Sequence, residues 1–273
     1  MSSTSTPGRP LTIVSPAAAR RTPFDGWILA GIAIALAAVV FGIASTGVSL
    51  RYFLQPTAAW IVLGGTLGVT LVTTPRRSFL NTLNCIVGLF REHPVNRAEL
   101  LEEIISYVRV ARVQGMLAIE PGIEQASHPF LREMLTLAMD IRGRNEFKET
   151  LETKVRLRER QGDADAKVLE VAGGFAPSIG VIGTVVGLID VLRQFSNMNS
   201  VATGIGTAFV STMYGLALAN LVLLPAAHRI RASVAEAFET EEMIIEAGLC
   251  LIDGVHPSLV RERLNSFLRQ EQQ

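Results

Sequence analysis

Four stretches of this chain are apolar for long enough to cross a bilayer, and the last two are seeded throughout with small residues. They read WILAGIAIALAAVVFGIAS (residues 27–45), TAAWIVLGGTLGVTLVTT (57–74), VAGGFAPSIGVIGTVVGLIDVL (within 171–195) and GIGTAFVSTMYGLALANLVLLP (within 201–227). A hydrocarbon core of about 30 Å is crossed by roughly 20 helical residues. Lipid tails are as apolar as leucine, so hydrophobicity alone does little to bring two such helices together. Close backbone approach does, and small side chains permit it. Gly64, Gly68, Gly180, Gly183, Gly187, Gly204 and Gly215 are therefore expected at helix contacts.

The charged residues are kept apart from these stretches. They make up 18% of the 273 residues, below the roughly 25% of soluble domains. Most of them lie in 76–168 and 228–273. Lys plus Arg balances Asp plus Glu at 25 each, so the basic face of a nucleic-acid binder is not expected. The basic residues set an orientation. Arg9, Arg20 and Arg21 precede the first stretch, Arg76 and Arg77 follow the second, and His228, Arg229 and Arg231 follow the fourth. The connector at 46–56 carries only Arg51, and that at 196–200 carries no charge. Both termini and the long insert are thus expected on the cytoplasmic side of the membrane. The first stretch is read as a span: it is long for a signal sequence, lacks a clear cleavage site, and a second span follows closely.

The expected fold is an all-α integral membrane protein with four transmembrane helices. Its parts are a disordered tail (1–26), spans one and two (27–75), a cytoplasmic helical domain (76–168), spans three and four (169–228) and a helical C-terminal tail (229–273). Within the insert, helices are expected over 100–115, over 128–141 and across FKETLETKVRLRERQ, with 163–170 leading into the third span. Residues 229–250 should continue the fourth helix. No alternating strand pattern is present.

Several residues within the spans carry chemistry. Pro177 and Pro225 would leave the carbonyls of Gly173 and Leu221 without their helical donors. Each is either a kink near the interface or a hinge with a lining carbonyl. Thr184 and Thr212 either bond their own helix backbone or offer oxygen to a cation or water. No Asp, Glu, Lys or His lies near the middle of a span. A chain that carries ions alone normally needs a buried ionisable group, so a second subunit would have to supply it. Asp190, three residues before Arg193, suits an interfacial ion pair. Cys85 and Cys250 have no metal-type spacing with His93, His128, His228 or His256 and are expected as thiols. Motifs of nucleotide, hydrolase or metalloprotease chemistry are lacking, so neither an enzyme activity nor a cofactor is expected.

Four pieces together resemble the MotA/PomA family, the channel-forming stator subunits of the bacterial flagellar motor, within a wider group that holds TolQ and ExbB. They are AAWIVLGGTLG, ARVQGMLAIE (111–120), GGFAPSIGVIGTVVGLI and STMYGLALANLVLLPAAHRI. The resemblance implies that Arg112 and Glu120 contact the rotor protein FliG. It implies that Pro177 and Pro225 couple ion flow to conformation, and that Thr184 and Thr212 line the path of the transported H+ or Na+. It also implies a homopentamer around a MotB/PomB-like, single-span, peptidoglycan-binding partner whose membrane aspartate carries the ion. The long Ser/Thr/Pro-rich tail before the first span departs from the family. A TolQ/ExbB-like energiser of an envelope process, or a non-conducting scaffold, would share the helix pattern.

Overall fold

The computed structural model describes residues 26–45, 47, 50–89, 95–141 and 143–270. The expected N-terminal tail up to residue 25 lies outside the described residues. Among those described, every regular element is helical. In chain order they are α1 (Gly26–Ser45), α2 (Pro56–Thr73), α3 (Arg76–Leu89), α4 (Arg97–Gln114), α5 (Pro129–Asp140), α6 (Arg144–Arg193), α7 (Met198–Ile252) and α8 (Pro257–Gln270). Single turns at Leu50–Phe53, Met116–Ile119 and Glu120–Ile123 join them. Among the described residues, three helices, α2, α6 and α7, are long and apolar enough to cross a membrane.

The helix ends follow from local sequence. The Asn96 side chain accepts from the backbone N–H groups of Ala98 and Glu99 at 3.1 and 3.3 Å, which caps α4. Its amide donates in turn to Glu99 at 2.9 Å. Gly115 closes α4 at φ +88°, a region that costs other residues strain. Pro56 and Pro129 stand in the first turns of α2 and α5, where a missing N–H is harmless. His128 caps α5 through Nδ1, which accepts from the Phe130 N–H at 3.2 Å.

The chain divides into two compact units. Among the described residues, the polar unit comprises those within 95–159 and 235–270, and the apolar unit those within 26–89 and 160–234. The polar unit has a core of large side chains from α4, α5, α6 and α7. Tyr107, Phe130, Leu135, Phe147, Met243 and Ile244 are all almost fully enclosed. Each such side chain contributes about 1.5–3 kcal/mol by leaving water. Arg97 is buried here, yet it is paired with Glu239 at 2.9 Å and donates to Thr240 and the Glu236 carbonyl. Arg158 bridges Glu133 and Glu241 at 2.8 and 2.7 Å and lies over the Phe130 ring.

The apolar unit is held differently. A Cβ placed on Gly215 would lie 2.6 Å from the Ala176 carbonyl oxygen, and one on Gly180 would lie 2.9 Å from that of Ser211. Gly187 and Gly204 face each other in the same way: a Cβ on either would meet the other's carbonyl oxygen at 2.8–2.9 Å. Thus α6 and α7 touch backbone to backbone, which no larger residue allows. A small apolar cluster of Ala166, Leu169, Ala227 and Ile230, covered by Cys85 and Ile86 of α3, closes one end. Neither Cys85 nor Cys250 forms a disulfide.

Candidate functional site

Within the apolar unit the sequence-expected residues gather where α6 meets α7. Thr212 Cα lies 3.3 Å, and Gly215 Cα 3.4 Å, from the Cβ position of Gly180. Pro177 Cα lies 3.2 Å from that of Gly215. Gly173, whose carbonyl Pro177 deprives of a donor, packs on Leu224, the residue before Pro225; a Cβ there would meet its Cδ2 at 2.9 Å. The two prolines thus sit close to one another's helix, and their helices respond differently. α6 runs as an α-helix through Pro177. α7 widens to a π-helical turn over Leu218–Leu223, ending two residues before Pro225. A π turn accommodates backbone that the i→i−4 ladder cannot hold. A second π turn, Trp60–Gly64, interrupts α2.

Of the two hydroxyls expected on an ion path, Thr184 is half-buried and donates to the Val181 carbonyl of its own helix. Thr212 is half-buried on the contact face of α7. A more enclosed set of hydroxyls is one that the sequence does not single out. Ser211 is fully buried and bonds Thr207 O at 2.8 Å, and Thr207 Oγ1 lies 3.1 Å from Gln55 Oε1. On α2, Thr70 bonds Thr66 O at 2.7 Å, while the Thr66 hydroxyl is enclosed without a hydrogen-bond partner. Tyr214 donates to the Phe53 carbonyl. The signal available is a spacing of four, Thr66/Thr70 and Thr207/Ser211, which sets each pair on one helix face. Among the described residues nothing lies within 4 Å of a Cβ added to Gly64 or Gly68, so this ridge of α2 takes no part in the contact of α6 with α7. Asp190 accepts from the Gln194 amide at 2.9 Å, one turn on.

Asp165 is the other residue the sequence does not single out. It lies on α6 before the apolar run that follows Glu170, is 4% exposed, and has one carboxylate oxygen without a partner. Its other oxygen lies 3.8 Å from the Cys85 thiol, and its backbone carbonyl accepts from Thr82 at 2.9 Å. Burial pushes the carboxyl up from the ordinary aspartate range, and the thiol only partly offsets this.

In the polar unit, Arg112 and Glu120 are both exposed. Arg112 lies in the last turn of α4 and donates to the Gly254 carbonyl at 2.9 Å. Gly254 holds φ +63° in the turn that leads to α8. Two clefts share Arg112. One, of about 490 Å³, is lined by Met116, Leu117, Met139, Leu251 and Val255. The other, of about 500 Å³, is lined by Arg109, Val113, His256 and Arg261. Arg261 also forms a two-pronged pair with Glu102, whose carboxyl it holds below its usual range. Glu120 opens the single turn Glu120–Ile123, and two buried side chains of α4 hold the segment from this turn to Ser127. Tyr107 donates its hydroxyl to Gly122 O at 2.7 Å. Glu103 accepts from the Ser127 N–H at 2.9 Å and from its hydroxyl. Burial, with the Glu103 charge beside it, pushes the Tyr107 phenol up to about 12, so it remains a donor. Among the described residues no cluster of His, Cys, Asp and Glu fits a metal ion.

Comparison with known proteins gives concordant results. The model of the MotA/TolQ/ExbB proton channel family matches residues 123–243, and that of the motility protein A N-terminal region matches 29–115. Motility protein A of Bacillus subtilis (strain 168) is 28% identical over 89% of this chain and 91% of its own length. The flagellar MotAB stator complex from Bacillus subtilis superimposes with a TM-score of 0.80 at 27% identity, covering 86% of this chain and 93% of that one. The MotAB structure of C. jejuni gives 0.84 at 23% identity, covering 89% and 95%.

Proposed function

The chain belongs to the MotA/PomA family, within the MotA/TolQ/ExbB proton channels, and we propose that it couples the flow of H+ or Na+ to torque as a stator subunit of the flagellar motor. The observation that carries this is the match at both ends of the chain. The N-terminal match is to a motility protein A model, which favours a motor over another envelope process. The partner is a MotB-like single-span protein, as in the two-component stator complexes that this chain resembles.

In this reading α1 is the first of four spans, the polar unit and both termini face the cytoplasm of a bacterial inner membrane, and five copies surround the partner. The spans carry no acid at mid-membrane, so the partner's aspartate binds the ion. One elementary charge crossing 100 mV supplies about 2.3 kcal/mol. Neutralising that aspartate changes what faces Thr184 and Thr212 and shifts the contact of α6 with α7. Pro177 and the π turn before Pro225 are where those helices yield. Both helices contribute residues to the polar unit, so the shift has a covalent route to it. There Arg112 and Glu120 meet the rotor protein FliG.

The test is rotation of tethered cells in a host without stators of its own, expressing this chain with its neighbouring single-span protein. Torque should recover in steps and vanish when the ion gradient is collapsed, and replacing sodium should identify the ion. Absence of rotation with both proteins in the membrane and a compatible rotor would sink the reading. Arg112→Glu and Glu120→Lys should lower torque with membrane levels unchanged.

A further inference from the structure

Glu120 lies in the connection between α4 and α5, a segment that needs fixing if its charge is to be presented at a constant place. Two side chains of α4, one helical turn apart, do this from beneath. Tyr107 is 1% exposed and Glu103 is 3% exposed, and neither spends its polar atoms on another helix. The Tyr107 hydroxyl holds the Gly122 carbonyl, two residues after Glu120. The Glu103 carboxylate takes both the N–H and the hydroxyl of Ser127, at the end of the segment. Ile119 and Ile123, on either side, are buried in the same core. Packing alone would be served as well by apolar residues at 103 and 107, because a buried carboxylate and phenol are costly unless their bonds are made. What these groups add is a defined position for the turn. Arg112, on the same helix, is tied separately to Gly254.

We propose that Tyr107 and Glu103 are positioning residues for the rotor contact, holding Glu120 in register with Arg112. The inference rests on the reading of Arg112 and Glu120 as that contact. Losing one buried hydrogen bond should loosen the turn, with backbone amide exchange over 116–127 rising about fivefold in the intact two-component complex. Tyr107→Phe keeps the ring in the core, and Ser127→Ala changes an exposed residue, so both leave the fold in place.

The experiment measures torque per stator from step height in tethered cells, together with membrane level, for Tyr107→Phe, Ser127→Ala, Glu120→Lys and the double variants. The expected result is a step height lowered roughly twofold by each loosening variant at normal membrane level, with no further loss when it is added to Glu120→Lys. A purely structural role would instead give losses that add in the double variants, and that result overturns the proposal. Unchanged step height in Tyr107→Phe and Ser127→Ala, with Glu120→Lys impaired, overturns it while leaving the rotor contact standing. Normal torque in both Glu120→Lys and Arg112→Glu removes the contact itself, and the proposal with it.

Discussion

The two units hold their helices together by opposite means. In the polar unit, large side chains fill the space between helices, and a glycine is the exception. A Cβ on Gly248 would meet Met134 Sδ and Phe147 Cζ at 2.8 Å, side-chain atoms that can move. In the apolar unit α6 and α7 meet along Gly180, Gly187, Gly204 and Gly215, where an added Cβ meets carbonyl oxygens, which cannot; Gly65, Gly162, Gly173 and Gly183 of the same unit face side chains instead. Water drives the first kind of packing. The second survives where water is absent, because it depends on the closeness of atoms rather than on removing surface from solvent.

Substitutions of opposite sense should therefore exchange their costs between the units. The largest loss is expected for Phe147→Ala in the polar core, about 3–5 kcal/mol, read as a drop in the thermal midpoint of the purified complex. Next comes Gly215→Ala in the apolar unit, about 1–3 kcal/mol, with loss of torque, because the Ala176 carbonyl stands 2.6 Å from the new methyl. Gly248→Ala should cost less than Gly215→Ala, since the Met134 thioether can swing aside; an equal or greater cost would break the contrast.

Two titrations sharpen it. Asp165 has its folded-state pKa raised, so its contribution is greatest below the ordinary aspartate range and declines as pH climbs through the raised value. Asp165→Asn should accordingly be more stable than the parent near neutral pH, with the advantage vanishing in acid. In the polar unit, burial and then Arg158 hold His128 below its usual pKa, which keeps Nδ1 free to cap α5. That contribution is present above the ordinary histidine range and is lost as pH falls through the lowered value. Melting curves between pH 7 and 5 should show a loss of about 1 kcal/mol in the parent. His128→Asn, which keeps a capping acceptor, should be flat. The smallest effect belongs to Gly64→Ala and Gly68→Ala. Among the described residues nothing stands within 4 Å of a Cβ there, so the fold of one subunit should not respond. A clear loss of torque there would mean that another chain lies on that ridge.

Much of the architecture is legible in periodicity. The helix expected over 128–141 is α5 at Pro129–Asp140, and that over 100–115 is α4 at Arg97–Gln114. Residues 163–170 do lead into the third apolar stretch, making one helix of 50 residues with FKETLETKVRLRERQ. α3 lies inside the helical domain expected over 76–168 and α8 inside the helical tail expected over 229–273, though neither has bounds of its own in that reading. For the candidate site, residue types are legible but pairings are not. The glycines announce close contact without saying which of them find a partner. Gly180, Gly187, Gly204 and Gly215 do so on backbone, Gly183 does so on the Ser211 side chain at 2.6 Å, and Gly64 and Gly68 find nothing within 4 Å among the described residues. Glu103 looks like any other acid on a charged helix, because its partner at Ser127 is supplied by the turn and not by helical spacing.

The π turn at Leu218–Leu223 also sets the phase of residues along α7. A turn that holds an extra residue advances everything after it by about 100° around the helix axis. Gly204 and Gly215 before it, and Ala227 and Ile230 after it, thus face their partners only because that residue is present. Deleting one residue between 218 and 223 would allow a regular helix and rotate the later set out of place. A helical wheel for α7 is therefore cut at this turn and read as two separate phases.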